Sequence, residues 1–379
     1  MTELRRVGLN LLFLVPGETG GSEIYARNLI PKLAQERPDL ELVAFVNREG
    51  AELDLGGARV VPLDVSGRGR VRRILAEQLR LPRLVRGQGV QLLHSLGTTA
   101  PSRPGAVSVV TLLDVIYARH PEAHTLAMRM GMRLLVPRAA RSADRVIAIS
   151  EAAAADISEV LGVPRERIDV THLGGRPPGP ATPEAELRAR LDLGDAPLVL
   201  SVSARRPHKN LPRLLQAFAR LRVEPAPTLV LPGYSTEFEG GIEAEVHDLG
   251  IADRVRILGW TQDEDLEGLY GAATCFVFPS LAEGFGLPVL EAMQRGVPVA
   301  CSNASSLPEV AGDAARYFDP LDVAEIAAAL DQLLGDPAMR EKLAAAGRRR
   351  AELFSWERTA RETAAGYERA WSESGAGGA

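Results

Sequence analysis

The chain has 379 residues, more than one ordinary hydrophobic core supports, so two domains are expected. Its 46% hydrophobic and 25% charged residues suit a soluble globular protein, and no run of about 18 uncharged apolar residues exists to span a membrane. The net charge of −5 is unevenly spread: residues 1–175 carry 23 Lys and Arg against 19 Asp and Glu, and the remainder 21 against 30. The positive excess concentrates at 68–86, where seven arginines face one acid, Glu77. That stretch lacks interleaved aromatics, so nucleic acid is not an expected partner. Cys275 and Cys301, the only cysteines, lie in apolar surroundings. They read as buried free thiols in a reducing cytoplasm, too few for a structural zinc site.

Residues 7–15 are apolar but too short for a membrane span, and Pro16-Gly17-Glu18 offers no small-residue cleavage site, so the run is read as a buried strand. Gly20-Gly21 follow, and Ser22 is placed to cap a helix over 23–35. Further strands are expected over 40–46, 58–63, 90–94, 107–113, 145–149 and 168–171. Helices are expected over 70–86, 126–141 and 151–161, the last capped by Ser150. Such alternation implies a mostly parallel sheet covered on both faces.

The Gly/Pro run from Gly174 to Pro180 reads as an exposed connector. The alternation then restarts, with strands over 198–202, 228–232, 255–258, 275–278 and 297–301. Helices are expected over 211–221, 242–249, 263–271, 288–295, 324–334 and 338–353. Ser355 caps an amphipathic helix reaching residue 371, and 372–379 are expected to be disordered. The fold class is therefore α/β, with two doubly wound, Rossmann-like domains at 1–176 and 177–356, followed by a final helix and tail at 357–379. Ligands of such folds bind outside the carboxyl ends of the strands, so the halves are expected to face each other across a cleft.

The most informative stretch is 273–298, A-T-C-F-V-F-P-S-L-A-E-G-F-G-L-P-V-L-E-A-M-Q-R-G-V-P. A short buried strand runs into the turn Glu283-Gly284-Phe285-Gly286, and Pro288 suits the first turn of a helix because its missing N–H is not needed there. A strand, glycine loop and helix start together present backbone N–H groups and a positive helix end, a seat for phosphate. Glu283 and Glu291 flank that seat. A second stretch, 198–210, carries a strand into the basic loop Arg205-Arg206-Pro207-His208-Lys209-Asn210.

E-G-F-G-L-P-V-L-E resembles the E-x7-E signature of retaining GT-B glycosyltransferases, the group 1 class called glycosyltransferase family 4. The resemblance implies a GT-B fold whose terminal helix crosses back onto the first domain. It places Glu283 by the donor sugar and Glu291 on the ribose, with Gly284, Phe285, Gly286 and Leu287 as the donor loop. Lys209 matches the lysine that meets the donor pyrophosphate. Ser203 stands where the family usually has glycine, and Arg205 is favoured over Arg206 as the accompanying cation. Gly20-Gly21 match the turn whose amides approach donor diphosphate and acceptor. Gly259-Trp260-Thr261 resembles the loop that reads the nucleobase edge. The family's His-Asp after the fifth strand is Leu113-Asp114 here, so that histidine is missing. Asp114 and His120 are candidates on the acceptor side, and His94 and His124 are further substitutes for the histidine.

A leaving nucleoside diphosphate gathers negative charge, which cations and helix-end amides can meet without a metal. No D-x-D motif reads as holding a metal, so neither metal nor other cofactor is expected. The resemblance implies retention, either by front-face displacement or by a covalent route with Glu283 as nucleophile. The expected donor is GDP-mannose first and a UDP-hexose next, and the acceptor is a hydroxyl of a glycan or lipid-linked sugar. Residues 68–86 could rest on an anionic membrane, placing the protein in the cytoplasm or on the membrane's inner face. A sugar-nucleotide epimerase, a phosphorylase and a non-catalytic sugar-nucleotide-binding protein remain open alternatives.

Overall fold

The computed structural model describes residues 3–121, 126–234, 236 and 238–375. The chain divides into two units, Met1–Gly174 with Ser355–Ala379, and Gly175–Phe354. Each is built on one parallel sheet.

The first unit contains β1 (Arg6–Leu11), β2 (Glu41–Val46), β3 (Arg59–Pro62), β4 (Leu92–Ser95), β5 (Val107–Leu112), β6 (Arg145–Ala148) and β7 (Ile168–Val170), in the order β3-β2-β1-β4-β5-β6-β7. Central strands such as β5 are buried at every position because helices cover both faces, whereas edge strand β3 is not. The strand expected over 7–15 ends at Leu11. Asn47 Nδ2 donates to the carbonyls of Leu12 (3.0 Å) and Leu14 (2.8 Å), giving that turn the partners a neighbouring strand would have supplied.

The helix expected over 70–86 is two helices, Arg70–Leu79 and Leu81–Gly87. Pro82 lacks the N–H that would have continued the first into the second. The last helix reaches Glu373, past the expected 371, and residues 376–379 lie outside those described.

That last helix, Trp356–Glu373, packs on helix Gly21–Glu36, with Arg37 paired to Glu368 (2.7 Å) and Lys32 to Glu357 (2.8 Å). Its end is held by a buried ion pair, Arg145 with Asp169 at 2.7 Å, to which Glu373 and Arg369 add. Deeper in, the Tyr367 hydroxyl lies 2.7 Å from His94 Nδ1, and His94 Nε2 lies 2.7 Å from Thr111 Oγ1, itself 3.1 Å from the Tyr25 hydroxyl. His94 is thus a core residue tying β4 and β5 to two helices, and this removes it as a substitute for the missing sugar-contacting histidine.

Burial pushes the His94 pKa down to about 3. Below the ordinary value of about 6.5 the unfolded chain takes up a proton that the folded chain refuses, so stability falls as pH falls through that window. At pH 5 the loss from this group is about 2 kcal/mol. Chemical denaturation of the native protein and His94→Gln at several pH values checks this: the stability gap between them narrows by about that amount on going from pH 7.5 to 5. A pH-independent gap contradicts the assignment.

The second unit contains β8 (Leu198–Leu200), β9 (Thr228–Pro232), β10 (Val255–Leu258), β11 (Cys275–Phe278), β12 (Val299–Ser302) and β13 (Ala315–Phe318), in the order β10-β9-β8-β11-β12-β13, all parallel. β13 was not expected, because A-R-Y-F is a half-exposed edge strand without an apolar run. The core lies between the sheet and helices Leu211–Ala219 and Val323–Gly335, with Leu214, Leu215 and Phe218 facing Ile326 and Leu330. Cys275 and Cys301 are buried and free. A helix at Glu184–Arg190 follows the connector and was likewise not expected.

Candidate active site

In the second sheet the order reverses between β8 and β11, which are hydrogen-bonded neighbours. Connections leaving such a pair run to opposite sides, and the crevice they leave outside the carboxyl ends is where ligands of doubly wound folds bind. The two loops that leave this pair are the two singled out from the sequence. The loop after β8 carries Lys209, and the loop after β11 carries Glu283.

These loops are fastened to each other. Lys209 ends a 3-10 turn, Pro207–Lys209, and Asn210 follows with φ 59°. Asn210 Nδ2 donates to Pro279 O (3.1 Å) and Pro320 O (2.7 Å), while Leu281 N donates to His208 O (2.8 Å). Lys209 Nζ is thereby held 2.6 Å from Glu283 Oε1, with both side chains mostly shielded from solvent, and it also stands 5.4 Å from the Phe278 ring centre.

The backbone beside Glu283 is clamped by two serines. Ser305 Oγ donates to Glu283 O (2.7 Å), and Ser306 Oγ donates to Glu283 O (3.0 Å) and Phe285 O (2.7 Å). Gly286, at φ 112°, then turns the chain into helix Leu287–Gln294, with Pro288 in its first turn. A β-carbon at Gly286 would press on Leu307 at 2.7 Å, so both backbone conformation and space call for glycine. Gly284 and Phe285 are buried beneath this turn, and Leu287 opens the helix half-exposed.

Glu291 is the fifth residue of that helix, and its side chain is 12% exposed. The Tyr270 hydroxyl donates to Glu291 Oε2 (3.2 Å), and Arg176 Nε lies 4.0 Å from Oε1. Burial pushes the Glu291 carboxyl above its ordinary range, and the charges of Arg176 and Arg295 with the Tyr270 hydrogen bond pull it back. A buried carboxylate on the first turns of a helix, with one oxygen held and the other facing a cation, can accept from a pair of hydroxyls.

Arg205 is a correction. It is 2% exposed, and its guanidinium donates to the carbonyls of Gly233 (3.2 Å), Leu231 (3.3 Å) and Leu258 and pairs with Glu239 at 2.9 Å. Its charge and donors are used to brace the ends of β9 and β10, which leaves it unsuited to a diphosphate. Arg206, half-buried on the same loop, is the remaining arginine there.

Trp260 is 63% exposed and packs at a tilt of 34° on Tyr234, with ring centres 4.6 Å apart, at the carboxyl ends of β10 and β9. It is therefore not a core residue. In the first unit, Gly20 precedes helix Gly21–Glu36 with φ 55° and ψ −130°, and Gly21 begins that helix. Asp114 Oδ1 accepts from Ile116 N (3.0 Å), and His120 ends the short helix Ile116–Arg119. His124 lies outside the described residues. Sequence reasoning missed Ser305, Ser306, Tyr234, Tyr270 and Arg176. Only the Ser305-Ser306 pair carried a local signal, two hydroxyls immediately before a proline-containing helix start.

Comparison with known proteins supplies the context. Residues 184–350 match the family model for glycosyl transferases group 1, and residues 19–174 match that for Glycosyltransferase Family 4. The O-antigen chain mannosyltransferase B of Escherichia coli is 36% identical over 270 residues, 69% of this chain and 70% of that one. The MMP alpha-(1->4)-mannosyltransferase of Mycolicibacterium hassiacum is 38% identical over 237 residues, 62% of this chain but only 56% of its own length. Among solved structures, sucrose-phosphate synthase from Thermosynechococcus elongatus superposes with TM-score 0.79 at 23% identity, covering 97% of this chain and all of that one. Anabaena HepE in complex with UDP-glucose gives 0.76 at 20% identity, covering 96% and 99%. Such distant structural likenesses establish the GT-B fold, and the two family models with the Escherichia coli relative establish more: this chain belongs to the group 1, family 4 glycosyltransferases.

Proposed function

We propose that the protein transfers a hexose, with mannose from GDP-mannose the leading choice and a UDP-hexose the next, to a hydroxyl of a glycan or lipid-linked sugar, with retention and without a metal ion. The observation that carries this reading is the Lys209–Glu283 pair, held at 2.6 Å outside the carboxyl ends of β8 and β11. The choice of mannose rests on the mannosyltransferase names of the two relatives.

In this reading the donor diphosphate draws Lys209 Nζ away from Glu283 and rests against the start of helix Leu287–Gln294. Glu283 then turns to the hydroxyls of the sugar, and Glu291 accepts from the ribose. As the anomeric carbon–oxygen bond breaks, its electrons pass to the phosphate, whose growing charge Lys209 and the helix-end amides meet. The acceptor oxygen bonds to the same face of the anomeric carbon, and its proton passes to the departing phosphate oxygen. Atoms and charge balance without an enzymic nucleophile or a metal. The covalent route through Glu283 would need that carboxylate to leave its lysine and attack from the opposite face.

The test is to incubate the protein with GDP-mannose, UDP-glucose, ADP-glucose and dTDP-glucose and a panel of alkyl mono- and disaccharide acceptors. Released nucleotide and the anomeric configuration of the product are read by NMR, with and without EDTA. The expected result is an α-linked product from an α-linked donor, unaffected by EDTA. A β-linked product overturns retention, loss on chelation overturns metal independence, and no transfer or release from any donor overturns the reading.

A second reading concerns location. Among the described residues no helix is long and apolar enough to cross a membrane. Helix Arg70–Leu79, however, exposes Val71, Leu75 and Leu79 at successive helical turns, among the arginines of 68–86. Apolar side chains on a basic helix suit an anionic lipid surface. Vesicles of mixed phosphatidylcholine and phosphatidylglycerol are expected to co-sediment the protein, with binding lost in high salt and reduced at least several-fold by Leu75→Glu. Binding that ignores both salt and the substitution contradicts this.

A further inference from the structure

We propose that Arg176 is a positioning residue of the donor site, which holds Glu291 as an oriented carboxylate for the ribose hydroxyls. The inference rests on the reading of Glu291 given above and adds a residue to it.

Arg176 lies just after the boundary between the two units, at the start of the second. At Gly175 the chain runs close to helix Leu287–Gln294: a β-carbon there would require the Gln294 amide to swing aside. The Arg176 guanidinium is then shared among three acids. Nη1 donates to Asp263 Oδ1 (2.6 Å), Nη2 lies 3.4 Å from Glu267 Oε1, and Nε lies 4.0 Å from Glu291 Oε1. Nε and Nη2 are buried and make no hydrogen bond among the described residues. Two buried, unsatisfied donors on a half-buried cation are costly, and a protein keeps such an arrangement where something else completes it. The gap of 4.0 Å to Glu291 is too long for a hydrogen bond and short enough for a strong charge interaction.

The other groups around Glu291 do less of this work. Tyr270 holds Oε2 but carries no charge. Arg295, one turn further along the helix, spends its guanidinium on Glu267, to which Nε donates at 2.7 Å, and on the Tyr270 ring. Glu267 opposes ionisation of Glu291, and Asp263 faces Arg176. Helix Pro337–Ala351 packs on the other flank, where its Gly347 meets Met293, Arg348 lies over Gly296 and Arg350 donates to the carbonyls of Glu309 and Val310. Anchored by Asp263, Arg176 is therefore the cation that, among the described residues, comes within 4.0 Å of the Glu291 carboxylate and offsets its burial most.

Calorimetric titration of the full-length protein with GDP, UDP, ADP and dTDP between about pH 5 and 8 tests this, using the nucleotide that binds tightest. In the native protein, affinity falls on acidification as Glu291 takes up a proton. In Arg176→Met that acid limb moves up by about one to two pH units, the shift an opposite charge at this range produces, and affinity at pH 7 falls about tenfold. Arg176→Lys restores the limb, since it restores the charge, and it serves as the decisive variant if Arg176→Met fails to fold. Glu291→Gln binds weakly at every pH and keeps only the limb of the nucleotide's own terminal phosphate, which titrates near pH 6 in every variant. Should Glu291→Gln bind like the native protein, or no nucleotide bind at all, the reading of Glu291 fails and this inference with it. Should Glu291→Gln weaken binding while Arg176→Met keeps the native pH profile, or lose affinity equally at every pH without rescue by lysine, Arg176 is a structural brace and the inference alone is overturned.

Discussion

Lys209→Ala is expected to lower the turnover of sugar transfer by about a hundred- to a thousandfold, the usual cost of removing one group that meets developing negative charge. The cation acts on charge that grows as the sugar–phosphate bond breaks, so its contribution is larger in the transition state than in the bound donor. The substitution should therefore reduce kcat far more than it weakens donor binding. Arg205 cannot replace it, being held by three carbonyls and Glu239. Steady-state kinetics with the preferred donor decides the matter, and near-native turnover would remove Lys209 from the mechanism.

Glu283→Gln should give an opposite pattern for nucleotide and for sugar. Without ligand, Glu283 occupies the Lys209 ammonium at 2.6 Å, so an incoming diphosphate must compete with a carboxylate for the same cation. Removing that charge should tighten binding of the free nucleoside diphosphate by several-fold, because an ion pair is lost from the competing state. Turnover should nevertheless fall about a hundredfold, since the carboxylate that orders the sugar hydroxyls is gone. Calorimetry on the nucleotide and rate measurements on the sugar donor separate the two effects. Full turnover with intact nucleotide binding would favour a protein that only binds sugar nucleotides.

Much of this arrangement was legible in the chain. The buried strands announced themselves as short apolar runs because a parallel sheet covered on both faces leaves no polar side. The strand–glycine–helix run around Glu283 carried its own geometry, since Gly286 and Pro288 have few alternative conformational uses. What stayed hidden depended on contacts distant in sequence. Arg205 and Arg206 are adjacent and chemically identical, and only the depth of the ends of β9 and β10 decides which one is consumed by carbonyls. Arg176 looked like one residue of a Gly/Pro connector, and only the approach of Gly175 to Gln294 reveals its acidic neighbours. The edge strand β13 and the break at Pro82 escaped for local reasons, the one being too polar and the other reading as an uninterrupted basic helix. His94, a candidate substitute in the sequence and a core residue in the fold, shows how little a lone histidine says without its surroundings.

The central claim is that the second unit grips a nucleoside diphosphate sugar at the ends of β8 and β11. Thermal unfolding with saturating GDP-, UDP-, ADP- and dTDP-sugars measures it most directly, because a ligand bound only by the folded chain stabilises it by about 2.7 kcal/mol at a hundredfold excess over Kd. The account predicts a rise of several degrees with one base, reduced by Glu291→Gln and by Lys209→Ala. An unchanged melting temperature with all four, or a rise that neither substitution diminishes, would contradict it.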